Sequence, residues 1–162
     1  VEPAEHMERL VQLMNKTNQF NTATRRYTYG QMARVLEDDR QQVYLYSVSD
    51  RFGESGVVAA AIVDCGGEVP VLTDYVMSCR VMGRNIEYAI VEDIEADLRQ
   101  KGYRRLRGIY VPTPKNSPVA ELYGQLGYRR IGAAGQDGAA YEIGLEDAPE
   151  RKYYVRMERS GV

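Results

Sequence analysis

The sequence contains no tryptophan, only two phenylalanines, two cysteines and one histidine among its 162 residues. Cys65 and Cys79 lie in separate segments, a pattern that argues against a disulfide framework and favours a reducing compartment. The single histidine and the scattered acids do not form a group with the spacing of a metal site. We therefore expect a cytoplasmic protein without a bound metal.

The chain also lacks a long apolar run and a strong charge of one sign. No hydrophobic stretch approaches the roughly 18–20 residues that span a bilayer, and the amino terminus has no signal-peptide pattern. The formal net charge is -2. These features argue against a membrane protein and give no reason to expect nucleic-acid binding.

What is present fits one globular domain. Hydrophobic residues make up 44% of the chain, charged residues 27%, and there are thirteen tyrosines. A chain of this length can bury a substantial core in a single unit. We divide the chain into a helical amino-terminal part (1–42), a core (43–145) and a tail (146–162). Because it starts at Val1, we interpret it either as a processed product or as the carboxyl-terminal segment of a longer protein.

The hydrophobic periodicity predicts an order of elements for the whole chain. Two helices are followed by three strands joined by short turns, which should form an antiparallel meander. A helix, a strand parallel to the one before that helix, a short helix and two strands complete the core. Thr28 is the predicted N-cap of the second helix. The tail contains a final β-prone piece, Tyr153–Met157.

A polar loop, residues 15–27, separates the two amino-terminal helices. Long ordered loops are often functional, and this one is rich in amides, hydroxyls and arginines. One interpretation makes it the wall of a substrate or partner site. The alternative is a surface loop whose polar groups satisfy one another. The candidate binding residues in it are Asn18, Phe20, Arg25 and Arg26.

The loop between the third strand and the third helix predicts an anion site. The first N–H groups of a helix lack partners and lie beside the positive end of its dipole, so they favour phosphate. Gly83 lets the backbone approach an anion closely, and two arginines add positive charge. The alternative is an ordinary solvated turn. The candidate residues are Arg80, Val81, Met82, Gly83, Arg84, Asn85 and Ile86.

This order of elements resembles the GNAT (Gcn5-related N-acetyltransferase) fold over about residues 43–145. The resemblance implies an α/β (α+β) fold with a mixed, mostly antiparallel sheet, helices on both faces, and a parallel pair splayed at the cofactor cleft. The family's Gln/Arg-x-x-Gly-x-Gly/Ala loop, whose amides hold the pyrophosphate of acyl-CoA, is matched by Arg80 to Asn85. Asn85 replaces the small last residue, and its side chain could intrude on the cofactor path.

A second GNAT signature follows the parallel strand. Its residues are Asn116, Ala120, Tyr123, Gly127 and Tyr128. The resemblance implies that Asn116 contacts pantetheine and that Tyr123 protonates the departing thiolate. A phenol with a pKa of about 10 suits a thiolate of pKa about 8.5. The alternative for Tyr123 is packing on the sheet.

Longer blocks resemble the carboxyl-terminal region of FkbH-like proteins: 15–27, 50–53, 78–84 with Glu87, and 110–116. Those proteins carry a HAD phosphatase-like domain that loads a glyceryl unit onto an acyl carrier protein for polyketide biosynthesis. The Asp-x-Asp-x-Thr motif of the HAD domain is absent from this sequence. The resemblance therefore implies an acyltransferase-like domain alone.

Three functions remain open at this stage. The first is acyl transfer from acetyl-CoA, another acyl-CoA or a carrier-bound phosphopantetheine, with the thioester carbonyl bound by the backbone N–H of Met77 or Cys79. Glu87 is then either a base or a cap of the helix amides. The second is a non-catalytic module that binds phosphopantetheine or the carrier protein. The third is a structural role, either in dimerisation, in which case the protein would be a homodimer, or as a stability cap.

The first function requires an open notch between the splayed strands. A notch closed by the Asn85 side chain or by the chain around Phe20 would leave only docking. For docking, an acidic carrier protein would meet an arginine surface. The predicted surface consists of Arg25, Arg26, Arg80, Arg84, Arg104, Arg105 and Arg107.

Overall fold

A computed structural model describes residues 2–50, 53–135 and 137–158 of the chain. The α-helices are α1 (Met7–Lys16), α2 (Tyr29–Glu37), α3 (Ile86–Gln100) and α4 (Leu122–Gln125). Short 3₁₀ helices cover Pro3–His6, Cys79–Val81 and Ser117–Val119. The strands are β1 (Gln41–Asp50), β2 (Gly53–Asp64), β3 (Val71–Met77), β4 (Arg105–Tyr110), β5 (Arg129–Ala134) and β6 (Gly138–Gly144).

The strands form one six-stranded sheet in the order β1-β2-β3-β4-β6-β5. The pairs β1–β2, β2–β3, β4–β6 and β5–β6 are antiparallel, and β3–β4 is parallel. The parallel pair is joined through α3, as expected for a crossover connection. The predicted meander and the mixed, mostly antiparallel sheet are therefore confirmed.

Helices cover both faces of the sheet. On one face, α1 and α2 bury Leu10, Met14 and Met32 against residues of β1, β2 and β3. On the other face, the apolar side of α3, including Ile90 and Ile94, packs on the sheet together with α4. With both faces covered, residues 57–63 of β2 are all buried, which explains why this strand has an unbroken apolar run.

The ends of several elements follow their local chemistry. Thr28 is the N-cap of α2, with its hydroxyl accepting from the Gln31 N–H (3.1 Å) and its own N–H donating to the Gln31 side chain (2.9 Å), as a capping box. The short turn predicted between the first two strands falls after Asp50, where β1 ends, and before Gly53, where β2 begins. Residues 51 and 52 of that turn, within the 50–53 block, lie outside the described residues.

The β-prone piece Tyr153–Met157 forms no regular secondary structure. Exposure nevertheless alternates along residues 151–157, with every second residue turned toward the protein. This period of two explains why the sequence looked like a strand. The tail packs on α3 instead of pairing with the sheet.

In the described part of the chain, no helix is long and apolar enough to cross a membrane.

Candidate functional site

The parallel strands β3 and β4 separate soon after they meet. They pair only at Val71 with Arg107 and at Leu72 with Gly108. Beyond Leu72, the side of β3 that faces β4 has no strand partner from β4 in the described structure. The predicted notch is therefore present, with main-chain groups of β3 on one wall and the end of β4 on the other.

The three residues Phe20–Thr22, the notch segment, fill this opening. The Thr22 N–H donates to the Tyr75 carbonyl (3.1 Å), and the Met77 N–H donates to the Phe20 carbonyl (3.0 Å). Across the notch, the N–H of Val111 donates to the Thr22 carbonyl (2.8 Å). The segment thus lies between the strands and uses the groups that splaying leaves free.

Side chains also hold the notch segment in place. Phe20 is buried, with its ring edge-on to Tyr75 at 5.1 Å between centroids. The Thr22 hydroxyl accepts from the Tyr75 N–H (3.1 Å). Asn21 accepts the N–H of Thr24 on its side chain (2.8 Å), which stabilises the turn that leaves the notch.

Asn116 fastens the segment from the β4 side. Its buried amide donates to the carbonyls of Asn21 and Val111, both at 2.9 Å, and its oxygen accepts the Thr113 N–H (2.7 Å). Both ends of the amide are therefore bonded within the protein. A contact between Asn116 and pantetheine stays a prediction, and in this arrangement it would require Asn21 to move.

Tyr123 lies behind the notch segment. Its ring is fully buried over Gly108 of β4 and stacks on Tyr141, with 5.2 Å between centroids. Its hydroxyl donates weakly to the Ile109 carbonyl (3.4 Å) and is also close to the hydroxyl of Thr22. Burial raises the pKa of Tyr123 well above its usual value. Its role as an acid stays a prediction, because the segment separates its hydroxyl from any thioester.

The backbone N–H of Met77, which was predicted to bind the thioester carbonyl, already donates to the Phe20 carbonyl. It therefore does not point into an empty site. The condition set by the sequence, an open notch, is thus not met in this arrangement, because the chain around Phe20 closes it.

The loop before α3, residues 80–86, is called the α3 loop below. Unlike the notch, it has backbone N–H groups that are not used within the described part of the protein. Gly83 has a φ of 82° with open space where a side chain would be, and Asn85 has a φ of 58°. The backbone N–H groups of residues 83–86 donate no hydrogen bond to another described residue. Arg80 and Arg84 are exposed and Met82 is partly exposed, while Val81 and Ile86 are buried in the core. An anion could therefore meet free donors at the start of a 15-residue helix.

The Asn85 side chain turns toward the tail. Its amide donates to the carbonyl of Lys152 (3.2 Å), which ties the tail to the helix start. Asn85 itself provides no side-chain cap for α3. Its positive φ is the conformation that Asn tolerates better than most residues.

Glu87 lies in the first turn of α3 and is half-buried. One carboxylate oxygen, Oε2, is buried without a hydrogen-bond partner in the described structure. Burial raises the pKa of Glu87, and its own backbone N–H offsets part of that effect. This contact favours the cap over the base, although both roles stay predictions.

The polar loop residues mainly brace the chain on either side of the notch. Arg25 pairs with the buried Asp74, which also accepts the Tyr27 hydroxyl (3.0 Å). Arg26 donates to the Met14 carbonyl (2.6 Å) at the end of α1 and to the Asn18 side chain (2.6 Å). Binding of a substrate or partner by Asn18, Phe20, Arg25 or Arg26 stays a prediction.

The seven predicted arginines do not form one surface. Arg80 and Arg84 follow the end of β3, whereas Arg105 and Arg107 begin β4, next to the start of β3. Parallel strands place these groups at opposite ends of the sheet, about 20 Å apart at 3.3 Å per residue. Arg105 and Arg107 also pair with Glu142 (3.6 and 2.7 Å). A carrier protein could meet only part of the set at once.

Sequence reasoning missed a buried charged cluster under the tail. Arg151 pairs with Glu95, whose side chain is 2% exposed, and Glu95 accepts the Tyr128 hydroxyl (2.6 Å). The signal was available: Glu95 lies three residues before Leu98 and four after Val91 on the buried side of α3. An acid in that position needs a partner.

No protein family matches this sequence, and no curated protein sequence is similar to it. Similar solved structures include the GNAT domain of S. lividans PAT (18% identity, TM-score 0.66, covering 86% of this chain and 85% of that one). The ribosomal-protein-S18-alanine N-acetyltransferase from Escherichia coli is 14% identical with a TM-score of 0.63, covering 95% and 96%. An acetyltransferase from Thermus thermophilus is 17% identical with a TM-score of 0.58, covering 86% and 84%.

At these identities the likeness concerns the fold. The chain has the fold of GNAT acetyltransferases, with a mixed, mostly antiparallel sheet and one parallel pair, β3 and β4.

Proposed function

We propose that this domain is an acyltransferase-like docking module, which binds the phosphate end of an acyl-CoA or of a carrier-bound phosphopantetheine. The observation that carries this proposal is the contrast between two neighbouring parts of the cleft. The α3 loop offers unbonded N–H groups and exposed arginines, while the notch for the thioester is filled by residues 20–22.

The α3 loop suits a phosphate for electrostatic reasons. A helix start of this kind stabilises an anion by about 0.3–1 kcal/mol, and charge-assisted hydrogen bonds from arginine add to this. Glu87 opposes the anion, but its raised pKa eases its protonation. Anion binding should therefore be accompanied by proton uptake at Glu87.

The identity of the carrier is the finer part of the proposal. The FkbH-like blocks support an acyl carrier protein as the partner, and a HAD domain in the same full-length chain as the catalytic neighbour. The module would then hold the phosphopantetheine arm for that neighbour. Its own acyl-transfer chemistry would not be needed.

A second function, acyl transfer within this domain, is favoured by two specific contacts. Thr22 lies against the Tyr123 hydroxyl, and Asn21 is bonded to Asn116. Withdrawal of the notch segment would therefore uncover both residues of the GNAT signature together. Transfer would depend on that withdrawal.

Calorimetric titration with CoA tests the docking proposal. We expect binding by the wild-type domain, and binding about tenfold weaker in Arg84→Gln, because a charge-assisted bond to phosphate is lost. Arg130→Gln, an exposed arginine on the edge strand β5, is the matched control and should bind as wild type. Absence of CoA binding by the wild-type domain would contradict the proposal.

Turnover of acetyl-CoA separates the two functions. Docking predicts no transfer to water or amines at a rate above background. Turnover that Tyr123→Phe abolishes while CoA binding is retained would establish the transferase instead.

A further inference from the structure

A cavity of about 500 Å³ lies next to the notch segment, on the side of α1. It is bounded by α1 from Arg9 onward, the loop that follows it, the turn after β3 and the loop after β4. Leu13 and Phe20 give it an apolar wall, and Cys79 lies on its rim. The cavity exists while the notch is closed, because Phe20 forms part of its lining.

The charges around this cavity are all of one sign. Arg9, Lys16 and Lys115 line it, and no acidic side chain does so in the described part of the chain. The ammonium groups of Lys16 and Lys115 form no ion pair or hydrogen bond with another described residue. Three cations, two from α1 and one from the loop after β4, thus line one space without a counter-charge among the described residues.

Arg9 is held in place at the cavity. Its guanidinium donates to the Val57 carbonyl (2.9 Å) and to the Gln12 side chain (2.8 Å). Burial, and then the nearby charge of Arg80, lower the pKa of Arg9. Both causes disfavour the charged guanidinium, and an anion in the cavity would offset them.

We propose that this cavity binds a phosphate monoester. A dianion fits two flexible lysines and one fixed arginine better than a neutral ligand does, and lysine binds phosphate as a point charge. The volume exceeds that of phosphate alone, so the organic part of the ester would lie on Leu13 and Phe20. The site goes beyond the docking proposal, since its turn residues are Ser78 and Cys79, whereas the unbonded amides of the α3 loop begin at Gly83.

Calorimetry with phenyl phosphate, inorganic phosphate and phenol tests the charge and the apolar wall separately. We expect phenyl phosphate to bind more tightly than inorganic phosphate, and phenol not to bind. Lys16→Gln and Lys115→Gln should each weaken phenyl phosphate about two- to fivefold, and the double variant about tenfold. Arg130→Gln and Arg84→Gln should leave this binding unchanged.

The Cys79 thiol gives a second measurement at the same place. In a Cys65→Ser background it is the sole thiol, and its reaction with a dianionic aromatic disulfide should be faster than with a neutral one. Lys115→Gln should slow the anionic reagent alone, and phenyl phosphate should protect the thiol. Equal rates for both reagents, no protection, or phenyl phosphate binding that is lost only in Arg84→Gln would each overturn the proposal.

Discussion

Phe20→Ala should open the notch without unfolding the protein. Five hydrogen bonds join the notch segment to its surroundings, three between main chains and one each from the Tyr75 N–H and the Asn116 amide. At about 1 kcal/mol each they contribute about 5 kcal/mol. Burial of the Phe20 ring adds about 2 kcal/mol. Ordering three residues opposes this by about 4–5 kcal/mol.

The closed form is thus favoured by about 2–3 kcal/mol, which leaves about 0.6–3% of molecules open. Removing the ring takes away about 2 kcal/mol of this. The open population in Phe20→Ala should rise about 30-fold in equilibrium terms, so that open and closed forms become comparable.

Native-state hydrogen exchange measures this opening directly. The amides of Met77 and Val111 donate to the notch segment and should exchange about 30-fold faster in Phe20→Ala. The Cys65 amide, bonded to the Arg40 carbonyl (2.7 Å) away from the notch, serves as the internal reference. Tyr154→Ala, which removes a ring that is 92% exposed, is the control variant. Unchanged exchange at Met77, or equal acceleration at all three amides, would refute the reasoning.

Three further predictions concern the surroundings of the notch. Gly108→Ala should destabilise the fold by about 1–3 kcal/mol in urea unfolding, because the new Cβ would lie 2.1 Å from the Tyr123 ring; an unchanged midpoint would show that the ring can move. Glu87→Gln should tighten CoA binding and remove the proton uptake seen between buffers of different ionisation enthalpy, since burial raises the pKa of Glu87; unchanged uptake would assign the proton to another group. The hydrogen bond from Arg107 lowers the pKa of Glu142. The pair therefore stabilises the fold above the usual pKa of Glu, and this contribution is lost as pH falls through the lowered value. NMR titration should show the Glu142 pKa rising in Arg107→Gln, and no change would exclude the contact.

The fold could be predicted because its signals are local. The capping box at Thr28, the apolar spacing of α3 and the unbroken run of β2 each depend on residues close in sequence. The order of elements predicted from these signals then resembled the GNAT fold. The loop before α3 was predicted from the residues, and the splayed pair was implied by the resemblance.

The state of the notch could not be predicted in the same way. Its closure joins residues 20–22 with Tyr75 and Asn116, which are 53 and 95 positions away from their partners. Main-chain hydrogen bonds of this kind leave almost no mark on residue types. From the sequence, the polar loop therefore suited both a binding wall and the bracing role that its contacts support.

In the tail, a local sequence pattern was misleading. The alternation over residues 153–157 indicated a strand, but period two is produced by any extended chain with one side buried. The burial of Glu95 on α3, with Arg151 as its partner, decides where that extended chain lies.

The most direct test is an NMR titration of the uniformly ¹⁵N-labelled domain with CoA, following the backbone amides on both sides of the cleft. Docking at the α3 loop with a closed notch predicts shifts of the Gly83, Arg84 and Asn85 amides and none at Met77. A shift of the Met77 amide resonance, whether or not the resonances of the α3 loop also shift, would show that the ligand displaces Phe20 and enters the notch. That result would contradict the account.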